Sequence, residues 1–437
     1  MSQHATLTTL REINASVVLE AIRADPPISR AEVSRRTGMT KPTVANALDL
    51  LVSAGLVRQA EPPGEMHYGA VYFEPVHSLA HVLALDIGTR FVRGALCDLS
   101  GTMLARHDER IDDSHPATIL RAAVAVRDAL APGGLSGGGA GGLTAEGGGI
   151  ELVAAGVPGV VDPEEGVIRQ SNRPALEGMA IRTGLEAALG VPAEVETDAN
   201  LAVIGEHALG AGRGIADFAF LSIGAGVGAG LILGNRAHRG HRGAAGEVDD
   251  PAPGEDELPD SPSGDALMNL ARAWIAAGLR DGDTVLRLDA TPEAIFAAAS
   301  RGDGLASAIV AEEARRIALR IATVSRVVDV ELVVLGGGIG LACESILPEI
   351  NAALAGMLRH PPDVEISALG NAPVLTGGLA HGTRLLRESV ATRRISAAAK
   401  GSGTAKATAA GSGTAKGSAT GSGTAKAIVT GSGTEGR

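Results

Sequence analysis

Within residues 29–58 the same helix-start punctuation occurs twice, which fixes a tight run of short helices at the front of the chain. Ser29 can take up a free N–H at a helix start, with Glu32 three residues on as its reciprocal partner and Ile28 and Val33 at the staple positions. Gly38 breaks that helix. Thr40 opens the next, Pro42 lies in its first turn, and Met39 with Val44 repeats the staple. Ahead of both, residues 10–23 read as a first helix with Ile13, Val17, Val18 and Ile22 on one stripe, ended by Asp25-Pro26-Pro27. In the third helix Val44, Ala47, Leu48, Leu51 and Val52 form the apolar stripe expected to be buried, and Gly55 suits a left-handed stop.

Three such helices with a short turn between the last two make a helix-turn-helix, in which the start of the final helix reaches base edges. That aims Lys41, Thr43 and Asn46 at bases and makes Arg35 and Arg36 the phosphate candidates. Residues 58–73 follow as a wing, whose His67 and Tyr68 can touch DNA or pack. A small helical domain that binds protein is the alternative. Caps mark helices and not their partners; the spacing, the turn and the basic residues favour DNA. Residues 1–60 hold seven Lys and Arg against five Asp and Glu, a balance of +2, so within a total of −12 the remainder carries −14. An acidic body repels phosphates and confines DNA contact to the head, and a head this weakly basic needs a second copy to add contacts.

At 437 residues and 45% hydrophobic, the chain exceeds one ordinary core and can bury large sheets. It contains no apolar run of membrane-span length, and residues 1–9 are too short and polar for a leader, so a cytoplasmic protein is expected. Cys97 and Cys343 lie in or beside apolar stretches, the usual place for buried free thiols. The Gly-rich residues 133–149 read as a flexible loop. Residues 398–437 repeat Gly-Ser-Gly-Thr-Ala-Lys with nothing to bury, and are expected to be a disordered, low-complexity, solvated tail of charge +4.

Between head and tail a different pattern begins. The apolar residues 82–85 end in Asp86-Ile87-Gly88-Thr89, and a strand and hairpin follow. Then come Gly156-Val157-Pro158-Gly159, Glu196-Thr197-Asp198-Ala199-Asn200 opening a helix, the glycine-rich Ser222-Ile223-Gly224-Ala225-Gly226-Val227-Gly228, Gly243-Ala244-Ala245-Gly246-Glu247 and Leu335-Gly336-Gly337-Gly338. In this order the segments resemble the ROK family of repressors, open reading frames and sugar kinases, in its repressor branch because of the head. The resemblance covers about residues 10–392. It implies a winged helix-turn-helix over residues 1–75 and a two-lobed α/β body of the actin-like, ribonuclease-H-like ATPase kind over 80–392, with a sugar cleft between the lobes. It also implies that Asp198 matches the kinases' general base and that Asn172 and Glu247 match sugar contacts. Carboxylates and amides suit a ring of paired donors and acceptors, so a cleft Asp can bind sugar without catalysis. Asp198 can also cap the helix beginning near Ala199.

The departures from the pattern decide the expected activity. Family kinases carry Asp-x-Gly-Gly-Thr at the first phosphate loop; here Thr89 and Arg90 replace the last two residues, adding side chains where backbone should approach phosphate. The family's His and Cys zinc module is missing: Asp250 stands at the His position and residues 251–262 hold no Cys, so no metal or other cofactor is expected. Glu255, Asp256, Glu257 and Asp260 make the replacing segment an acidic, solvated loop, and Pro259 stands where the family has a further sugar-contacting Glu. The chain therefore reads as a DNA-binding transcriptional regulator of repressor type, not an enzyme. Its partners are a near-palindromic double-stranded operator, a small sugar effector and further copies of itself, as homodimer or homotetramer. An ATP-dependent sugar kinase with a regulatory head and a ligand-free regulator stay open.

Overall fold

The computed structural model describes residues 7–62, 70–131, 148–171, 173–250, 258–278 and 284–411. His67, Tyr68 and Asn172, and nearly all of the Gly-rich stretch 133–149, lie outside them. The chain divides into two compact units. One holds the head up to Glu74 together with the chain from Thr392 onward; the other is Pro75–Ala391.

In the head, α1 (Leu7–Ala24) precedes β1 (Ile28–Ser29), α2 (Arg30–Thr37), α3 (Lys41–Ser53), β2 (Val57–Ala60) and β3 (Tyr72–Pro75). The three strands form one small sheet in the order β1-β3-β2, the base of a wing. Both expected caps form: Ser29 accepts from the Glu32 N–H and Thr40 from the Thr43 N–H. Gly38 and Gly55 take the left-handed conformation that ends each helix, at φ 69° and 67°. Two details differ. The buried face of α1 is Ala15, Val18, Leu19 and Ile22, while Ile13 and Val17 are 51% and 41% exposed; Val52 on α3 is 43% exposed. The apolar periodicity of α1 serves two overlapping stripes, and packing against α3 selects one of them.

The body's first lobe contains β4 (His81–Ile87), β5 (Phe91–Asp98), β6 (Met103–Arg110), α4 (Pro116–Leu130), β7 (Ile150–Val157), the hairpin β8 (Val160–Val161) and β9 (Ile168–Gln170), α5 (Ile181–Leu189) and β10 (Ala193–Thr197). Its mixed sheet runs β10-β7-β4-β5-β6, with β7 parallel to both β4 and β10. All seven residues of β4 are buried, as a central strand covered on both faces requires. Then α6 (Asp198–Leu209) leads to the second lobe: β11 (Phe218–Ile223), β12 (Val227–Leu233), β13 (Arg236–Ala237), α7 (Gly264–Ala276), α8 (Pro292–Ser300), α9 (Gly304–Val328), β14 (Leu332–Gly336), α10 (Gly337–Ala342), α11 (Leu347–Met357) and β15 (Asp363–Ile366). Here the sheet order is β13-β12-β11-β14-β15. The main core of this lobe joins the sheet to α7, α8, α9 and α11 through residues such as Leu221, Leu267, Ile295, Ile317 and Leu354.

The last helix, α12 (Pro373–Gly411), packs on the first lobe's sheet through Gly378 and Gly382. It crosses α6 with backbones nearly touching: a Cβ on Gly377 would lie 1.7 Å from the Leu201 carbonyl oxygen. Gly230 on β12 is pressed against the Ala199 carbonyl in the same way, at 2.2 Å. These glycine contacts fix the start of α6, and Asp198 is its first residue. The helix runs on past residue 398, where the sequence places the start of a structureless tail, and its later turns belong with the head: Ile395 is buried, Arg394 donates to the Ala54 carbonyl and Ser396 to Glu12. Residues 412–437 lie outside the described residues.

Candidate functional site

On the head, Lys41 and Asn46 are exposed at the start of α3, and no described residue is hydrogen-bonded to either side chain. Thr43 is partly covered and its hydroxyl is shared with that of Thr40 at 2.9 Å. The phosphate candidates are engaged. Glu32 does not return to the helix start as the reciprocal half of a capping box; its carboxylate takes Arg35 at 2.5 and 2.8 Å and Arg36 at 2.7 Å. Those hydrogen bonds hold the Glu32 carboxyl down at about 2. Arg36 also meets Asp25 at 2.5 Å. A phosphate reaching either arginine has to compete with these exposed, salt-screened pairs.

In the body, Thr197 rather than Asp198 caps α6, accepting the Asn200 N–H at 3.1 Å. Asp198 is the first residue of the helix and not its cap, and its Oδ1 accepts the Ala199 N–H at 2.7 Å. Burial, and then the nearby charge of Asp86, push the Asp198 carboxyl up to about 6. Glu247 is pushed up to about 7, by burial first and then by Asp198 and Asp250. The two carboxyls thus lie within electrostatic reach of each other. Asp86, at the end of β4, is 8% exposed, raised by burial, and bonded by Arg93 at 2.9 Å.

The sequence reading missed Arg173. It follows Asn172 directly and its charge is felt by both Asp198 and Asp86. One of its nitrogens donates to the Gly88 carbonyl at 3.0 Å and lies 3.4 Å from the Ser114 hydroxyl, while its buried Nε has no partner among the described residues. Adjacency to Asn172 was the only available signal. This guanidinium is therefore bonded to the turn that follows β4. The Gly88 N–H is also committed, to the Phe91 carbonyl at 2.9 Å. Thr89 and Arg90 are exposed on the rim, and the charge of Arg90 reaches Glu293 at the start of α8. In the second glycine-rich turn the Gly224 N–H bonds the Gly226 carbonyl.

The donors present do not fit the family's zinc. Asp250, at the expected His position, accepts from Gln170 at 2.7 Å. Cys97 and Cys343 are buried elsewhere, beside Thr383 and the Ile339 carbonyl. No group of three or more His, Cys, Asp or Glu residues among those described is arranged to hold a metal ion. Asp260 pairs with Arg315 at 2.6 Å, and residues 251–257 lie outside the described set.

The ROK family model matches residues 82–249 and 262–386. The chain belongs to the ROK family. A MarR family model matches residues 12–65, the head. The chain is 23% identical over 397 residues to the xylose repressor of Caldicellulosiruptor bescii, covering 85% of this chain and 96% of that one. It is 26% identical over 318 residues to the glucokinase of Streptomyces coelicolor, covering 68% and 95%. A crystal structure described as a ROK family transcriptional regulator, homologue of the E. coli MLC protein, superposes with a TM-score of 0.69 at 20% identity, over 89% of this chain and 99% of that one. No single helix among the described residues is long and apolar enough to cross a membrane.

Proposed function

We propose that this ROK protein is a transcriptional repressor that grips double-stranded DNA with α3 and senses a small sugar in the body's cleft without phosphorylating it. One observation carries the reading: a helix-turn-helix whose Lys41 and Asn46 have no hydrogen-bond partner among the described residues precedes a body in which Asp198 and Glu247 influence each other electrically while the Gly88 turn is bonded within the protein. Relatives named as repressors that match nearly the whole chain support it. Asp198 and Glu247 would accept sugar hydroxyls, Asn172 would be a further sugar contact, and the Arg173 guanidinium would lend positive charge to Asp198. Lys41, Thr43 and Asn46 would read base edges. Arg35 and Arg36 would meet phosphates by exchanging Glu32 for them. Two copies would set their recognition helices roughly 34 Å apart on a near-palindromic site. A sugar that lowers operator affinity a hundredfold must bind the two states with a difference of about 2.8 kcal/mol, within reach of a few hydrogen bonds made in one state only.

One observation favours catalysis: an Asp198 carboxyl near 6 is suited to a general base. A coupled assay with ATP and a panel of hexoses and pentoses separates the readings. The repressor reading expects no turnover beyond background; turnover abolished by Asp198→Asn establishes a kinase.

A further inference from the structure

We propose that Asp249 and Arg320 are positioning residues, whose buried ion pair, braced by Ser261, fixes the loop that carries Glu247 at a site that has no metal clamp. The proposal rests on reading this site as the effector site.

Glu247 lies between β13 and α7, where the described residues 238–250 form no helix or strand. Just before it, the Gly246 carbonyl accepts the Ala229 N–H of β12 at 2.9 Å, and Gly246 turns at φ 99° so close to Ala229 that a Cβ would lie 1.9 Å from that residue's oxygen. Just after it, the ties are made by side chains. Asp249 accepts from Arg320 Nε at 2.7 Å with both side chains 7% exposed, and its other oxygen takes the Ser261 hydroxyl at 2.5 Å. Ser261 is 1% exposed; its hydroxyl also accepts the Ser263 N–H at the cap of α7, and its carbonyl accepts from Arg316 at 3.0 Å. Thus Asp249 and Ser261, at the two ends of the segment that departs from the family pattern, are bonded to each other and to α9. The ROK match breaks off at residue 249 and resumes at 262, the same interval.

The physics favours a positioning role over simple stabilisation. A buried ion pair adds little net stability, because desolvation offsets attraction, but it fixes geometry: either partner moved away leaves an uncompensated buried charge. Arg320 is anchored in the middle of the 25-residue α9, so Asp249, and the Glu two residues before it, cannot slide. Where a zinc site would use coordination bonds to hold such a loop, this chain lacks the donors and has the ion pair.

The test uses the full chain labelled with 13C at glutamate carboxyls, the Glu247 signal being assigned by its loss in Glu247→Gln. In the wild type it should titrate near 7. In Asp249→Asn and Arg320→Met it should fall by a unit or more as the freed loop admits water, and Arg320→Lys should restore most of the shift. Calorimetry with D-xylose and D-glucose supplies a second readout: Asp249→Asn should weaken whichever sugar binds tenfold or more, but less than twofold in the Glu247→Gln background. A folded Asp249→Asn and Arg320→Met with unshifted Glu247, or an equal loss of sugar affinity in both backgrounds, overturns the proposal. Should those variants not fold, Ser261→Ala removes one arm of the frame, and no downward shift there overturns it equally. If neither sugar binds wild type, the sugar reading fails for those two ligands while the titration still decides the frame.

Discussion

Replacing Glu313 with Leu should stabilise the second lobe at neutral pH, and the gain should fade on acidification. Glu313 sits on α9 at 0% exposure, and neither carboxyl oxygen has a partner among the described residues. Burial pushes its carboxyl from the ordinary 4.5 up to about 8, with Arg316 only partly opposing. Between those values the folded state holds a proton that the unfolded state has released, so stability is highest below pH 4.5 and is lost as pH rises toward 8, at about 1.4 kcal/mol per unit. From pH 5.5 to 7.5 the wild type should therefore lose roughly 3 kcal/mol that Glu313→Leu does not lose. With a urea dependence of about 2–3 kcal/mol per molar for a lobe of this size, the midpoints should diverge by roughly 1 M over that range. The chain's one tryptophan, Trp274 on α7, packs against the same core, so its fluorescence reports this lobe. A wild-type minus variant difference that does not change with pH would mean that Glu313 is ionised or paired in the folded state, and the burial argument would be wrong.

Lys41→Ala or Asn46→Ala should each cost about 1–3 kcal/mol at a cognate operator, read by fluorescence anisotropy, if each makes a paired base contact; footprints unchanged in both remove α3 as the reading helix. Sugar affinity should rise between pH 5 and 8, because hydroxyls donate to the ionised forms of Asp198 and Glu247, whose carboxyls lie at about 6 and about 7; calorimetry giving a flat profile would mean that the ligand does not touch them. Gly377→Ala should cost about 1–3 kcal/mol or more, since its methyl group meets backbone and forces α6 and α12 apart; an unchanged melting temperature would mean that the crossing is looser than described. A chelator such as EDTA should leave melting unchanged, and a drop of several degrees would point to a metal site.

Local chemistry was readable and long-range choice was not. Ser29, Thr40, Gly38 and Gly55 do their work within three residues, so their caps and stops appear in the structure where the sequence placed them. The same local logic misjudged Glu32: two arginines at three and four residues' distance offer it stronger, charge-assisted partners than a backbone N–H. Ile13 and Val17 stay half-exposed because periodicity shows that a helix has an apolar side, while the neighbour decides how far it is covered. Asp198 and Glu247 were found through resemblance, and their mutual influence needs the fold. Arg320 meets Asp249 across 71 residues of sequence, and nothing in the spacing announces it.

The most direct test of the account is anisotropy of labelled DNA from the region upstream of the gene and its neighbours, titrated with the full chain at fixed salt, with and without a panel of pentoses and hexoses. The account predicts tight, salt-sensitive binding to a near-palindromic site that one sugar weakens a hundredfold or so. Protein that ignores every fragment at low salt, yet phosphorylates a hexose with ATP, would contradict it.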